Sequence, residues 1–161
     1  MIRTAAPEDA EALLTNVNAI GAEGVYINTE RLERSLEQER AWIAGYDGHS
    51  SLLLVAEVDG TVMGQADVRR GQQVKNAHAA QLGIALRKEV RGLGLGSALL
   101  EEGIAWARSS GIRKLFLSVF GTNEQAIGLY RKLGFEEEGR LRGQVILRGV
   151  PVDLVWMARW L

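Results

Sequence analysis

Hydrophobic positions along this chain change spacing several times, and the changes outline alternating helices and strands. Apolar residues recur every three or four positions after Pro7 and again after Thr29, which predicts two amphipathic helices. The first should end near Gly21, and the second should run from a Thr29 cap to about Gly45. Residues 51–58 and 61–70 are apolar or alternating runs around an Asp-Gly turn, which predicts a β-hairpin.

The second half of the chain continues the alternation without strict strand–helix–strand order. Gly111 and Gly134 are expected to end two helices, and Thr122 begins a Thr-x-x-Gln capping box. We therefore expect a mixed sheet in a single domain spanning residues 1–161. The further strands are predicted at residues 2–4, 78–86, 114–120, 135–148 and 152–160, and the further helices at 98–108 and 122–133.

Composition narrows the possible functions of the chain. The 161 residues are 47% hydrophobic and 24% charged with a formal net charge of −1, which gives no electrostatic case for nucleic-acid binding. The sequence has no cysteine and only two histidines, so it offers neither a thiolate nucleophile nor a convincing metal site. We find no signal peptide and no run long enough for a membrane span, and expect a cytoplasmic protein.

The segment 91–97, Arg-Gly-Leu-Gly-Leu-Gly-Ser, lies between a predicted strand and a predicted helix. Alternating glycines let the backbone approach a ligand closely, and the N–H groups at a helix start favour an anion. Arg91 adds a positive charge, so the segment predicts a phosphorylated cofactor. It lacks the Gly-Lys-Ser/Thr of a Walker A loop and the spacing of a dinucleotide fingerprint.

This glycine-rich segment resembles the Q/R-x-x-G-x-G/A signature of the GNAT superfamily of N-acetyltransferases. The segment 123–135 resembles the family's N-x-x-A-x-x-x-Y-x-x-x-G-F pattern. The resemblance implies an α/β (α+β) fold with a mixed, mostly antiparallel sheet of six or seven strands flanked by helices. It further implies that the strands at 78–86 and 114–120 splay apart to hold acetyl-CoA as co-substrate.

The resemblance also implies roles for particular residues. Tyr130 would be the acid that protonates the leaving thiolate, although the helical spacing also fits a core aromatic. Asn123 would bind the CoA arm or cap its helix. The residues implied to bind the cofactor are Ile84, Ala85, Leu86, Arg91, Gly92, Leu93, Gly94, Leu95, Gly96, Ser97, Asn123 and Tyr130.

The general base is not identified by the sequence. Many relatives carry a glutamate where this chain has Gln81, and an amide cannot accept a proton at useful pH. Glu57, Asp67 and His78 are the substitute candidates, directly or through water, but for each of them a solvated or exposed residue with no catalytic role is the stronger interpretation.

The acceptor is expected to be an amine on a small molecule, with a protein or peptide N-terminus as the alternative. Tyr26 and Trp42 could line the acceptor pocket. A CoA-binding module without catalysis and a nucleotide-binding protein are the rivals from other classes. The apolar segment 154–161 suggests a homodimer, although an internal strand explains it equally well.

Overall fold

The computed structural model describes residues 1–161, and its centre is one seven-stranded sheet. The strand order is β1-β2-β3-β4-β5-β7-β6, and only β4 and β5 run parallel. This arrangement confirms the mixed, mostly antiparallel sheet that the sequence predicted. The strands are β1 (Ile2–Thr4), β2 (Ser51–Val58), β3 (Thr61–Arg70), β4 (Ala79–Leu86), β5 (Lys114–Phe120), β6 (Glu136–Leu147) and β7 (Val150–Trp160).

Four α-helices cover the two faces of the sheet. The helices are α1 (Ala10–Ala22), α2 (Leu36–Ala44), α3 (Leu95–Ser109) and α4 (Glu124–Lys132), and short 3-10 turns occupy Pro7–Asp9 and Lys88–Val90. Apolar side chains of α3 and α4 pack with β4, β5 and β7 in the largest core cluster, whereas α1 and α2 pack on the opposite face of β2. No helix is both long enough and apolar enough to cross a membrane.

The second helix begins at Leu36, so the prediction of a helix starting after Thr29 was wrong. Ser35 is the true cap: its hydroxyl accepts the Gln38 N–H at 3.1 Å, and the Gln38 side chain accepts the Ser35 N–H at 2.9 Å. The preceding segment is fixed instead by α1. Asn18 Oδ1 accepts the Leu32 N–H at 2.6 Å, and these tertiary contacts hold the backbone out of a helix.

One smaller expectation also differs from the structure, and another is resolved in favour of one of its two interpretations. Asn123, rather than Thr122, caps α4, because Asn123 Oδ1 accepts the Ala126 N–H at 3.2 Å. The apolar segment 154–161 forms most of β7, an interior strand paired with β5 and β6. Sheet pairing and the core therefore account for its hydrophobic character, and it gives no separate support for a homodimer.

Candidate active site

A cleft opens where β4 and β5 separate. The two strands pair only from Ala79 to Gln81, with Gln81 opposite Phe116, and diverge beyond that point. The space between them has a volume of about 750 Å³. Its walls come from residues 81–86 of β4, residues 118–120 of β5, one side of α4 and the segment 26–28 after α1. One edge of β4 is therefore free to pair with an extended ligand.

The glycine-rich turn closes one end of the cleft and presents unpaired backbone donors. Gly92 and Gly94 have φ angles of +77° and +83°, a conformation that glycine adopts without strain. None of the N–H groups from Gly92 to Ser97 donates a hydrogen bond within the protein, and the first to do so is Ala98, to Gly94 at 3.1 Å. Since α3 begins at Leu95, its dipole adds to these donors, and the turn has the features of an anion site.

The Arg91 guanidinium lines the cleft but is already paired. Its Nη atoms contact the Glu23 carboxylate at 2.8 and 2.6 Å, and its Nε donates to the Leu86 carbonyl at 3.0 Å. It also stacks 4.3 Å from the Tyr26 ring centre. The hydrogen bonds from Arg91 hold the pKa of Glu23 below its usual range. The turn thus carries less net positive charge than the sequence suggested, and Arg91 also fastens Tyr26 to the cleft wall.

The position of Tyr130 is compatible with both roles that the sequence left open. Its ring is only 6% exposed and packs 6.0 Å from the Phe135 ring, so it belongs to the core. The residue nevertheless lines the cleft, and its hydroxyl makes no hydrogen bond within the protein. Burial raises the pKa of the phenol, which keeps it protonated at neutral pH. A protonated, unpaired hydroxyl at a cleft can donate to a thiolate.

The remaining predicted cofactor residues divide into two groups. Ile84, Ala85 and Leu86 line the cleft along the open edge of β4, and Asn123 lines it from the start of α4. The side chains of Leu93 and Leu95 do not line the cleft. Leu93 is 69% exposed, and Leu95 packs against a core cluster on the α3 face of the sheet. These two leucines can contribute only their backbone N–H groups to the turn.

The three candidate bases have separate positions. Glu57 forms an ion pair with Arg3 at 3.1 Å, on the far side of β2 from the cleft. His78 precedes β4 at the end where the strands still pair, and stacks on Trp160 with ring centres 6.1 Å apart. Asp67 lies directly opposite Gly83 in the β3–β4 register, and Gly83 lines the cleft. Of these candidates, Asp67 is adjacent to the wall of the cleft.

Sequence reasoning named Asp67 and Trp42 separately, but it missed Tyr46 and Arg69, which connect them. Tyr46, which follows α2, donates to Asp67 Oδ2 at 3.4 Å and accepts from Arg69 Nε at 2.8 Å. Trp42 packs edge-on against Tyr46 with ring centres 5.1 Å apart, and Arg69 lies over both rings. The alternation of β3 places Asp67 and Arg69 on one face, but nothing local indicates that α2 would bring aromatic residues to them.

Comparison with known proteins agrees with this geometry. Residues 22–135 match the model of the acetyltransferase (GNAT) family. An L-amino acid N-acetyltransferase of Escherichia coli is 36% identical over 110 residues, which is 66% of either chain. The L-methionine sulfoximine/L-methionine sulfone acetyltransferase of Pseudomonas paraeruginosa is 29% identical, over 97% of this chain and 91% of that protein.

Among solved structures, the ribosomal-protein-alanine N-acetyltransferase of Brucella melitensis superposes with a TM-score of 0.90. The alignment is 31% identical and covers 100% of this chain and 99% of the other. Two kinds of acceptor, L-amino acids with their derivatives and a ribosomal-protein alanine, thus occur in the names of proteins similar to this one.

Proposed function

Since this chain belongs to the acetyltransferase (GNAT) family, we propose that it transfers the acetyl group of acetyl-CoA to the amine of a small molecule of the amino-acid type. Family membership establishes the N-acetyltransferase activity and acetyl-CoA as the co-substrate. The acceptor class and the residue roles are the proposal. The observation that carries them is the cleft, which joins unpaired amides at one end to the unpaired hydroxyl of the largely buried Tyr130 farther in.

The cofactor would lie along the cleft in one direction. Its diphosphate would accept hydrogen bonds from the N–H groups of residues 92–97, which donate to nothing else. Its pantetheine arm would run along the free edge of β4 past Ile84, with Asn123 facing it from α4. The thioester would then reach the narrow end, close to Tyr130 and Gly83. At that point the Tyr130 hydroxyl would donate its proton to the departing sulfur.

The absence of cysteine from the sequence leaves direct transfer as the proposed mechanism. With no thiol to hold the acetyl group, the amine would attack the thioester carbon while both substrates are bound. Holding both in one cleft supplies the proximity that the reaction needs. The backbone N–H groups along the free β4 edge are the available donors for the oxyanion that forms during the attack.

Two features favour a small acceptor carrying its own carboxylate. The relatives from E. coli and P. paraeruginosa are named for amino acids and their derivatives. The Arg69 guanidinium, 51% exposed beside Asp67, is a positively charged group on the acceptor side that could receive a carboxylate. Tyr26 and the two residues after it also line the cleft, and this additional wall is compatible with a small acceptor.

A protein amino terminus is the second candidate, favoured by the full-length likeness to the ribosomal-protein-alanine enzyme. One screen separates the two. Purified protein is incubated with acetyl-CoA and one acceptor at a time: a free L-amino acid, the amide of the same amino acid, or a peptide with an N-terminal alanine. Turnover is followed by release of the CoA thiol. We expect turnover with free amino acids and a loss with the amides, which lack the carboxylate. Preferential acetylation of the peptide would replace our proposal with the second candidate.

A further inference from the structure

A carboxylate held in an unusual position lies beside the wall of the cleft. Asp67 lies on β3 opposite Gly83, and a Cβ atom placed on Gly83 would lie only 2.7 Å from Asp67 Oδ1. The carboxylate is therefore folded over the glycine, toward a residue that lines the cleft. Any side chain at position 83 would displace it, so the register and the missing Cβ together create the position of Asp67.

The two oxygens of this carboxylate have different surroundings. Oδ2 faces Arg69 Nε at 3.1 Å and accepts from the Tyr46 hydroxyl at 3.4 Å. Oδ1 accepts no hydrogen bond from the protein, and the side chain remains 24% exposed. One oxygen is thus anchored, while the other keeps its lone pairs available over Gly83, a residue of the cleft wall.

The neighbours of Asp67 decide how well it accepts a proton. Burial raises the pKa of Asp67, while Arg69 on the same strand and the Tyr46 hydrogen bond oppose the rise. On β2 the opposite residue is the apolar Leu53, and on β4 it is Gly83. The nearby Arg34, which stacks on Trp42, is paired with Glu39 at 2.6 Å. Burial is the larger effect, so this carboxylate binds a proton more readily than an ordinary aspartate.

We infer that Asp67 Oδ1 is the general base of the reaction and takes the proton of the acceptor ammonium group. The inference rests on amine acetylation in this cleft. Gln81, two residues before Gly83 on the same face of β4, lines the cleft and can orient the amine or a bridging water without accepting its proton. Tyr130 belongs to the core on the other face of the sheet, so base and acid approach the thioester from opposite faces.

The proton and bond changes balance without a further reactant. The ammonium gives one proton to Asp67, and the freed lone pair forms a C–N bond to the thioester carbon. When the carbonyl re-forms, the C–S bond breaks and sulfur takes the hydroxyl proton of Tyr130. The second nitrogen proton restores that hydroxyl, and the third stays on the amide. The products are the acetamide, the CoA thiol and a protonated Asp67 that returns its proton to solvent.

The first test compares Asp67→Asn with Glu57→Gln, a control acid one strand further from the cleft. With the best acceptor of the wild type, Asp67→Asn should lower kcat at neutral pH by about 10²-fold or more, while KM for acetyl-CoA is unchanged. Its residual rate should keep rising with pH, because the amine must then lose its proton unaided, whereas the wild type levels off earlier. Glu57→Gln should retain the wild-type profile. A kcat for Asp67→Asn within about threefold of wild type across the pH range overturns the inference.

A second measurement does not depend on knowing the acceptor. The Asp67 carboxyl carbon is titrated by NMR in the folded protein, and the melting temperature of Asp67→Asn is measured at neutral pH. We expect a pKa above the ordinary value of about 3.9 and a melting temperature no lower than wild type, because burial of the charge costs stability. A depressed pKa with a lower melting temperature would identify a structural ion pair with Arg69 and overturn the inference. If the wild-type protein acetylates no amine in the screen, the proposed function is refuted. The titration would still show whether the pKa of Asp67 is raised or depressed.

Discussion

Replacing Gly94 with aspartate puts a negative charge into the turn that is proposed to hold the diphosphate. Gly94 directly precedes α3, and a Cβ atom built on it meets no other atom within 4 Å. The side chain therefore fits sterically, and its charge lies beside the unpaired N–H groups. Two effects then need to be separated: the strain of a positive φ, which is +83° here, and the repulsion of the ligand.

Gly111 supplies a matched control for the strain. Its φ is +73°, its surroundings are equally open, and it follows α3 at the end away from the turn. Aspartate at either position should lower the free energy of unfolding by about 1 kcal/mol, which corresponds to a melting temperature lower by roughly 2–4 °C. The repulsion applies only at Gly94. Two unit charges ~5 Å apart repel by about 1 kcal/mol in water and about 3 kcal/mol at an effective dielectric constant of 20.

These energies translate into a Kd for acetyl-CoA that is raised about 5- to 150-fold in Gly94→Asp. Isothermal titration calorimetry gives the Kd of both variants and the wild type, and thermal unfolding without ligand gives their stabilities. Higher salt should narrow the difference in affinity, since screening weakens exposed charges. Equal affinities for Gly94→Asp and Gly111→Asp would refute the placement of the diphosphate at this turn.

Three further changes test separate parts of the structure. Tyr130→Phe should keep the Kd for acetyl-CoA and lower kcat by about 10²-fold in steady-state kinetics, since the ring still packs but the donor is lost, and unchanged turnover would remove it from the acid role. Glu23→Gln should tighten acetyl-CoA binding a few-fold in calorimetry by freeing Arg91, and weaker binding would mean that the pair mainly shapes the turn. Arg3 holds the pKa of Asp9 below its unfolded value, so this carboxylate stabilises the fold above pH ~4 and loses that contribution as pH falls. In urea unfolding, the free energy of unfolding of Asp9→Asn should therefore depend less on pH in that acidic range. An unaltered pH dependence would contradict the assignment.

Elements with purely local signals could be predicted from the sequence. The hairpin of β2 and β3 and the strand β5 have the predicted boundaries, because apolar alternation and an Asp-Gly turn act over a few residues. The start of α2 was missed because its determinants are distant in sequence. Asn18 on α1 accepts the backbone N–H of Leu32, which ties the segment before α2 to another element, and Ser35 is the residue that caps the helix.

The candidate site shows the same division between local and distant causes. The amides of the glycine-rich turn follow from its own residues, so a phosphate site could be predicted there from the sequence alone. The significance of Asp67 could not, because it depends on the β3–β4 register that sets it against Gly83 and on Tyr46 arriving from another element. Separation of β4 from β5 opens the sheet to both of its faces. A neutral Gln81 is then compatible with amine chemistry under our proposal, since Asp67 lies opposite Gly83, and Gly83 lines the same opening as Tyr130.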